Sequence, residues 1–192
     1  KVEEKLIALH PEQEMKTPFH LYIGQEAIAA GICSLSSKND LVFSYHRSHG
    51  HYLAKGGSIK KFFSEMYNKS TGCSAGKGGS MHLIDKTVGH MGSSSIVAGS
   101  IPIAVGAALA LKMQGKKDTV ISFFGDGAVD EGVLYESLNF SSLNSLNVIF
   151  VCENNSLSVS TPLSLRRIND NLQQRATSFG VTSKRVDGNN VL

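Results

Sequence analysis

The chain has 192 residues, a formal net charge of +3, 41% hydrophobic residues and 18% charged residues. This composition is ordinary for a soluble α/β domain with a sizeable core, and it gives no support for a nucleic-acid partner. The longest apolar run, Ile101 to Met113, is too short to cross a bilayer, so no membrane partner is expected.

The cysteines and the N-terminus indicate the compartment. Cys33, Cys73 and Cys152 are odd in number and far apart, so they form neither a disulfide framework nor a zinc knuckle. The N-terminus is charged and lacks the apolar core of a signal peptide. We therefore expect a cytoplasmic protein.

The first half of the chain combines periodic segments with a long polar stretch. Residues 1–17 are predicted to be helical until Pro11, and Gly24–Leu35 has helical apolar spacing. Leu41–Phe43 is a short strand candidate, and Ser58 is suited to cap a helix over 59–68. Residues 69–95 are rich in glycine and serine with little periodicity, which predicts a long loop that is either functional or disordered.

The second half alternates buried strands with helices. The predicted elements, in order, are a helix over Ile101–Gln114, a strand over Thr119–Phe124, a helix over Glu131–Asn144, a strand over Asn147–Cys152, a helix near Asn169–Phe179 and a strand over Val181–Val186. This alternation predicts an α/β fold with a mostly parallel sheet and helices on both faces. We expect residues 1–192 to form a single domain that is incomplete at its C-terminus.

Polar residues follow both buried strands of this second half. Gly125-Asp126-Gly127 follows the first strand and Glu153-Asn154-Asn155 the second, with 26 residues between Gly127 and Asn154. Ligands of open parallel sheets bind beyond such strand ends. Asp126 could cap the next helix, or it could help to hold Mg²⁺ and a diphosphate, which the flanking glycines would admit close to the backbone.

This pair of strand ends resembles the thiamine-diphosphate fingerprint of transketolase-like and 2-oxo-acid-decarboxylating enzymes. The resemblance implies a thiamine-diphosphate-binding fold. It implies that Asp126, Asn155 and the backbone carbonyl of Leu157 are Mg²⁺ ligands. It also implies that Gly125, Gly127 and Ala128 contact the cofactor.

Four further blocks extend the resemblance over most of the chain. The blocks are His20–Ala27, Arg47–Gly50, Gly76–His82 and Ile96–Ala98. In sequence and order they resemble segments of the alpha subunit of pyruvate and acetoin dehydrogenases, which is part of the first component of these 2-oxo-acid dehydrogenases. The resemblance implies cofactor contacts for His46, Arg47, Ser95 and Val97. It implies catalytic roles for three residues, which are His20, His49 and Glu131.

The function implied by this resemblance is oxidative decarboxylation of a 2-oxo acid, with pyruvate as the first candidate. The enzyme would be an oxidoreductase that acts on an oxo group with a lipoyl disulfide as acceptor, and the acyl group would pass to a separate lipoyl-bearing acyltransferase. A beta subunit would supply the glutamate that activates the cofactor, so an α2β2 assembly is expected.

Departures from the family pattern keep other functions open. His46 replaces a common Tyr, and Glu131 stands where pyruvate-specific relatives usually have Gln. A carboxylate at Glu131 would disfavour a nearby substrate carboxylate by about 1–4 kcal/mol. Acetoin dehydrogenase is therefore an alternative, as is a transketolase-like carboligase. An inactive scaffold and a zinc site at His46, His49 and His51 are further alternatives.

Overall fold

The computed structural model describes residues 1–191, which form helices and a parallel sheet. The α-helices within this range are α1 (Val2–Leu9), α2 (Glu26–Leu35), α3 (His49–Ala54), α4 (Ile59–Met66), α5 (Ser100–Met113), α6 (Gly132–Leu143) and α7 (Leu172–Ser178). The strands are β1 (Leu41–Tyr45), β2 (His90–Ser94), β3 (Val120–Gly125), β4 (Val148–Glu153), β5 (Leu157–Ser158) and β6 (Thr161–Pro162). No helix in this range is long and apolar enough to cross a membrane.

The main sheet has four strands in the order β2-β1-β3-β4, and every neighbouring pair is parallel. On one face, Cys33 of α2 packs with Val42, Ile121 and Phe123. On the other face, α5 and α6 pack against alternate residues of the same strands, such as Phe124. Because β3 is covered on both faces, four of its six residues are apolar and Ser122 in its middle is fully buried. The predicted α/β fold with helices on both faces is confirmed.

One strand lies inside the stretch that was predicted to be a loop. β2 reads His-Met-Gly-Ser-Ser, a sequence without apolar alternation, and it joins the sheet through backbone pairing with β1. Its first residue, His90, is fully buried, with Nε2 3.3 Å from Ser44 Oγ. The sequence pattern missed this strand because Met91 is its one large apolar residue, and the buried His90 is covered by Ser44 and Tyr52.

The predicted strand over Val181–Val186 is wrong. These residues form no strand, although Val181 packs beside the apolar cluster that contains Phe124 and Leu134. β4 therefore lies at an edge of the sheet within residues 1–191, and its Ile149 is 50% exposed. Strand formation requires backbone pairing with a neighbouring strand, which residues 181–186 do not find within the described chain.

The glycine-rich loop that follows α4 is ordered by one buried carboxylate. Glu65 has no solvent exposure, and its two carboxylate oxygens accept four backbone N–H bonds of 2.8–3.1 Å. The donors are Ser74, Gly76, Gly78 and Gly79. Gly76 has a φ of +73°, and a Cβ there would lie 2.6 Å from backbone atoms of Asn68. The loop is thus a built structure that requires glycine, and it leads directly to His82.

Candidate functional site

The two predicted polar tips lie at the same edge of the sheet. Gly125 pairs with Glu153 in the β3–β4 register, so Asp126 and the Asn154-Asn155 pair leave the sheet side by side. A short 3₁₀ turn, Asp126–Asp130, contacts β5 immediately beyond the asparagines. A Cβ on Gly127 would lie only 2.7 Å from Ser158 Oγ. The two loops therefore pack closely at Gly127, and a side chain there would require the Ser158 hydroxyl to move.

The carboxylate of Asp126 is buried and paired with arginine. Asp126 is 1% exposed, and one of its oxygens accepts a hydrogen bond from Arg166. Arg167 Nη2 donates to the Asp126 carbonyl oxygen at 2.7 Å. Both guanidinium groups also pair with Asp130, at 2.7 and 2.9 Å. The alternative in which Asp126 caps the next helix is not realised, because α6 begins at Gly132 and has no side-chain cap bond.

The charges around Asp126 do not balance. Three carboxylates, those of Asp126, Asp130 and Asp170, face the two guanidinium groups of Arg166 and Arg167. One oxygen of Asp170 is buried and accepts no hydrogen bond, and Arg167 Nη1 lies 3.6 Å away from it. The formal charge of the cluster is −1, which favours an additional cation.

The asparagine tip forms two consecutive tight turns. Asn154 Oδ1 accepts from the backbone N–H of Ser156, and Asn155 Oδ1 accepts from that of Leu157, both at 3.0 Å. Ser156 has a φ of +63°, which a non-glycine residue seldom adopts. Asn155 and Leu157 are both exposed in the loop that follows β4. Their oxygens lie in the loop that touches the Asp126–Asp130 turn.

The described residues contain no group of three or more His, Cys, Asp or Glu side chains placed to hold a metal ion. The zinc alternative at His46, His49 and His51 therefore has no support. Each of these imidazoles has different neighbours: His46 packs against His20, His49 bonds to Glu3 and Ser80, and His51 lies 3.1 Å from Glu153 Oε1.

His20, His46 and Arg47 form a second wall of the site. The rings of His20 and His46 pack edge to face with centroids 4.6 Å apart, and Arg47 donates to the carbonyl of Leu21. Burial, with His20 and Arg47 as neighbours, lowers the pKa of His46 to about 4. Burial, Arg47 and His49 also lower the pKa of His20. Both imidazoles are therefore neutral at pH 7, and Arg47 carries the positive charge of this wall.

These neutral histidines predict a loss of stability in mild acid. Between about pH 6.5 and 4 the unfolded chain binds a proton at His46 that the folded chain does not, so the free energy of unfolding falls as the pH falls through this window. His90, with a pKa lowered to about 3 chiefly by burial, acts in the same direction. Urea unfolding at pH 7.5 and 5.5 should show a smaller decrease for His46→Gln than for the wild type. An equal decrease would show that His46 is not the neutral, buried group described.

His49 lies apart from this wall and is fully buried. Its Nδ1 is 2.7 Å from Glu3 Oε1 and its Nε2 is 2.7 Å from Ser80 Oγ. The order Ser-His-Glu resembles a hydrolase triad, but neither Ser80 nor His49 has any solvent exposure. These contacts join α1, α3 and the loop before His82. The catalytic role predicted for His49 stays a prediction.

The remaining predicted residues lie on three connections near the same end of the sheet. Ser95 and Val97 follow β2. Because β2 runs parallel to β1, its carboxyl end lies at the same edge of the sheet, and Val97 is 47% exposed there. Ala128 is 3% exposed and packs in the apolar core, so the cofactor contact predicted for it stays a prediction. Glu131 is exposed just before α6. The structure thus brings together the tips after β2, β3 and β4, each with at least one predicted residue.

Sequence reasoning assigned no role to two features of this region. Glu153, the last residue of β4, is 1% exposed, and Tyr22, Tyr45 and His51 all contact its carboxylate. Arg166 and Arg167 lie 40 or more positions from Asp126 in sequence. A carboxylate at the end of an apolar strand is a signal that could have identified Glu153, because it requires buried donors. The two arginines have no comparable sequence signal.

Comparison with known proteins gives a consistent result. Residues 1–192 match the family described as "Dehydrogenase E1 component". The alpha subunit of acetoin:2,6-dichlorophenolindophenol oxidoreductase is 37% identical in Bacillus subtilis, covering 99% of this chain and 57% of that protein. Its counterpart in Cupriavidus necator is 43% identical, and the match covers 88% of this chain and 51% of that protein. The pyruvate dehydrogenase E1 component alpha subunit of Rickettsia typhi is 38% identical, with 97% and 57% covered.

The chain thus spans a little over half the length of these relatives. Among solved structures, a putative thiamin diphosphate-dependent enzyme from Mycobacterium smegmatis superposes with a TM-score of 0.54. The match covers 86% of this chain and 28% of that one, at 14% sequence identity. At this identity the likeness shows a shared fold.

Proposed function

The chain belongs to the dehydrogenase E1 component family, and on this premise we propose that it is the alpha subunit of a thiamine-diphosphate-dependent enzyme that decarboxylates a 2-oxo acid oxidatively. The observation that carries the proposal is the meeting of the Asp126–Asp130 turn with the loop after β4, where Gly127 packs against Ser158. The M. smegmatis protein, described as thiamin diphosphate-dependent, shares this fold.

The residues present fit the cofactor and a divalent ion. The acidic cluster around Asp126 keeps one negative charge uncompensated, and one buried oxygen of Asp170 accepts no hydrogen bond. Mg²⁺ prefers few protein oxygens and completes its coordination with phosphate oxygens and water. Asp126, Asn155 and the carbonyl of Leu157 would hold the ion, and the ion would displace Arg166 from the Asp126 carboxylate.

The other wall is suited to a diphosphate. Arg47 supplies a fixed positive charge and a planar set of donors for phosphate oxygens. His46 is neutral and supplies a hydrogen bond without a second charge. The partly exposed glycines after β3, Gly125 and Gly127, allow close approach to the backbone, and exposed Val97 offers an apolar surface after β2.

When bound, thiamine diphosphate supplies the electron sink for loss of the substrate carboxylate. The protein's own residues bind and orient the reactants. His20 is neutral and partly buried beside His46, so it can donate or accept one hydrogen bond at a substrate oxygen. Burial of this wall limits the access of water to the reacting carbon.

The acyl donor that we propose first is pyruvate, and acetoin is the second candidate. Pyruvate carries a carboxylate, whereas acetoin is neutral. Glu131 is exposed at the start of α6, directly after the Asp126–Asp130 turn, and its negative charge disfavours an anionic donor nearby. The R. typhi relative, a pyruvate dehydrogenase E1 component subunit, supports pyruvate, and the two acetoin:2,6-dichlorophenolindophenol oxidoreductase subunits support acetoin.

The proposed partners are a beta subunit, in an α2β2 assembly, and a lipoyl-bearing acyltransferase that accepts the acyl group. The relatives are alpha subunits by name, which implies a second subunit. Ile96 and Val97 are 68% and 47% exposed beside the site, an arrangement suited to contact with the cofactor and a partner chain.

Two measurements test this proposal. Calorimetric titration of the chain, alone and with its beta partner, should show binding of thiamine diphosphate that depends on Mg²⁺. A donor panel of pyruvate, branched-chain 2-oxo acids and acetoin, assayed with the beta partner and an artificial electron acceptor, should identify the substrate. Absence of cofactor binding in both forms would overturn the proposal, as would stoichiometric zinc in the purified protein. Full turnover by this chain alone would contradict the two-subunit site.

A further inference from the structure

The carboxylate of Glu153 is buried at the centre of the candidate site without an arginine or lysine partner in the described chain. Tyr22 donates its hydroxyl to one carboxylate oxygen, and Tyr45 donates to the other at 2.5 Å. His51 Nε2 lies 3.1 Å from the first oxygen. Glu153 and His51 have essentially no exposure, and the His51 ring stacks on Phe123 with centroids 3.9 Å apart.

Each partner of this carboxylate lies next to a predicted site residue in the sequence. Tyr22 is two residues after His20, and Tyr45 immediately precedes the His46-Arg47 pair. His51 lies on α3, just beyond that pair, and Glu153 itself is two residues before Asn155. One carboxylate therefore joins the segment before α2, the end of β1, the start of α3 and the end of β4.

The position of Tyr22 is fixed from three sides. Its backbone N–H donates to both oxygens of Glu3, at 2.8 and 2.9 Å. Its ring lies against Gly50, where a Cβ would be only 2.0 Å away. Its hydroxyl is held by Glu153. The backbone two residues after His20 is thus linked to the Glu153 carboxylate through one constrained side chain.

We propose that Glu153 is a positioning residue that sets His20, His46 and Arg47 at the correct distance from the Asn154-Asn155 tip for cofactor binding. This inference rests on the proposed function. Leaving one donor of a buried carboxylate network unpaired is costly, so the network favours a single arrangement of the four segments. A carboxylate with only a structural role would stabilise the fold without affecting the affinity for the cofactor.

The test uses variants that remove one donor each and keep the ring. In Tyr22→Phe and Tyr45→Phe, calorimetry with saturating Mg²⁺ should show affinity for thiamine diphosphate reduced roughly 5- to 10-fold, with a non-additive effect in the double variant. The matched control is Tyr52→Phe, because Tyr52 is equally buried but donates to the Ser58 carbonyl at 3.3 Å. The control should show a comparable decrease in thermal midpoint and unchanged affinity.

A second readout needs no cofactor. The imidazole C–H resonances of His20 and His46 in the free chain should shift in Tyr22→Phe and Tyr45→Phe but not in Tyr52→Phe. Wild-type affinity in both Tyr variants would overturn the inference and leave the proposed function intact. Lack of cofactor binding by the wild type would overturn the proposed function, and unshifted resonances would separately overturn the positional role. Glu153→Gln should reproduce the double variant, and the tyrosine variants suffice if it does not fold.

Discussion

Asp126→Ala is expected to abolish Mg²⁺-dependent binding of thiamine diphosphate, with affinity reduced by at least about 100-fold, or about 2.7 kcal/mol. Asp126 is the anionic member of the proposed ligand set, which also contains the Asn155 amide and the Leu157 carbonyl. Without it, two neutral oxygens remain to hold a divalent cation beside a diphosphate. Calorimetric titration with and without Mg²⁺ measures the effect.

The arginine contacts of Asp126 require a specific control. Arg166 and Arg167 would lose a partner in Asp126→Ala, so the variant changes both metal binding and the loop that carries the arginines. Asp130→Asn removes charge from the same two arginines, which lie 2.7 and 2.9 Å from Asp130, but Asp130 is not a proposed ligand. A smaller loss than in Asp126→Ala, about tenfold or less, is expected for Asp130→Asn, because this variant removes one negative charge of the cluster but no proposed ligand; tenfold corresponds to about 1.4 kcal/mol. Equal losses in both variants would assign the effect to the arginine loop instead of the metal.

Glu65→Gln is expected to lower the free energy of unfolding by about 2–4 kcal/mol, because charge-assisted hydrogen bonds to four backbone N–H groups are weakened together. The glutamine amide keeps one acceptor oxygen but presents N–H donors to N–H groups. Urea unfolding measures the change, and Glu136→Gln is the matched control because Glu136 is exposed on α6.

The same substitution should loosen the glycine-rich loop before the whole fold is lost. Limited proteolysis at Lys77, which is exposed within this loop, should be faster in Glu65→Gln than in the wild type at equal protease concentration. If Glu65→Gln has the stability and the cleavage rate of the wild type, the four N–H groups bind water instead and the loop does not depend on Glu65.

The sequence by itself determined the centre of the fold and the place of the site. β3 and β4 are recognisable as parallel strands because both are short and mostly apolar and are separated by a helix, and parallel strands bring their carboxyl ends to one edge. The positions of Asp126 and the Asn154-Asn155 pair at that edge follow from this local pattern. The helices α5, α6 and α7 were predicted within a few residues, since apolar spacing and length mark them.

Only the tertiary structure decided which polar groups meet. Glu153 contacts Tyr22 and Tyr45 across 131 and 108 positions of sequence, and no periodic pattern connects residues so far apart. The same holds for Arg166 beside Asp126 and for His49 between Glu3 and Ser80. β2 is a strand because its backbone pairs with β1, whereas residues 181–186 form no strand because their backbone pairs with no neighbouring strand in the described chain. Apolar burial produces a local pattern that can be read in the sequence, whereas a hydrogen bond between residues far apart in sequence produces no such pattern and is seen only in the folded structure.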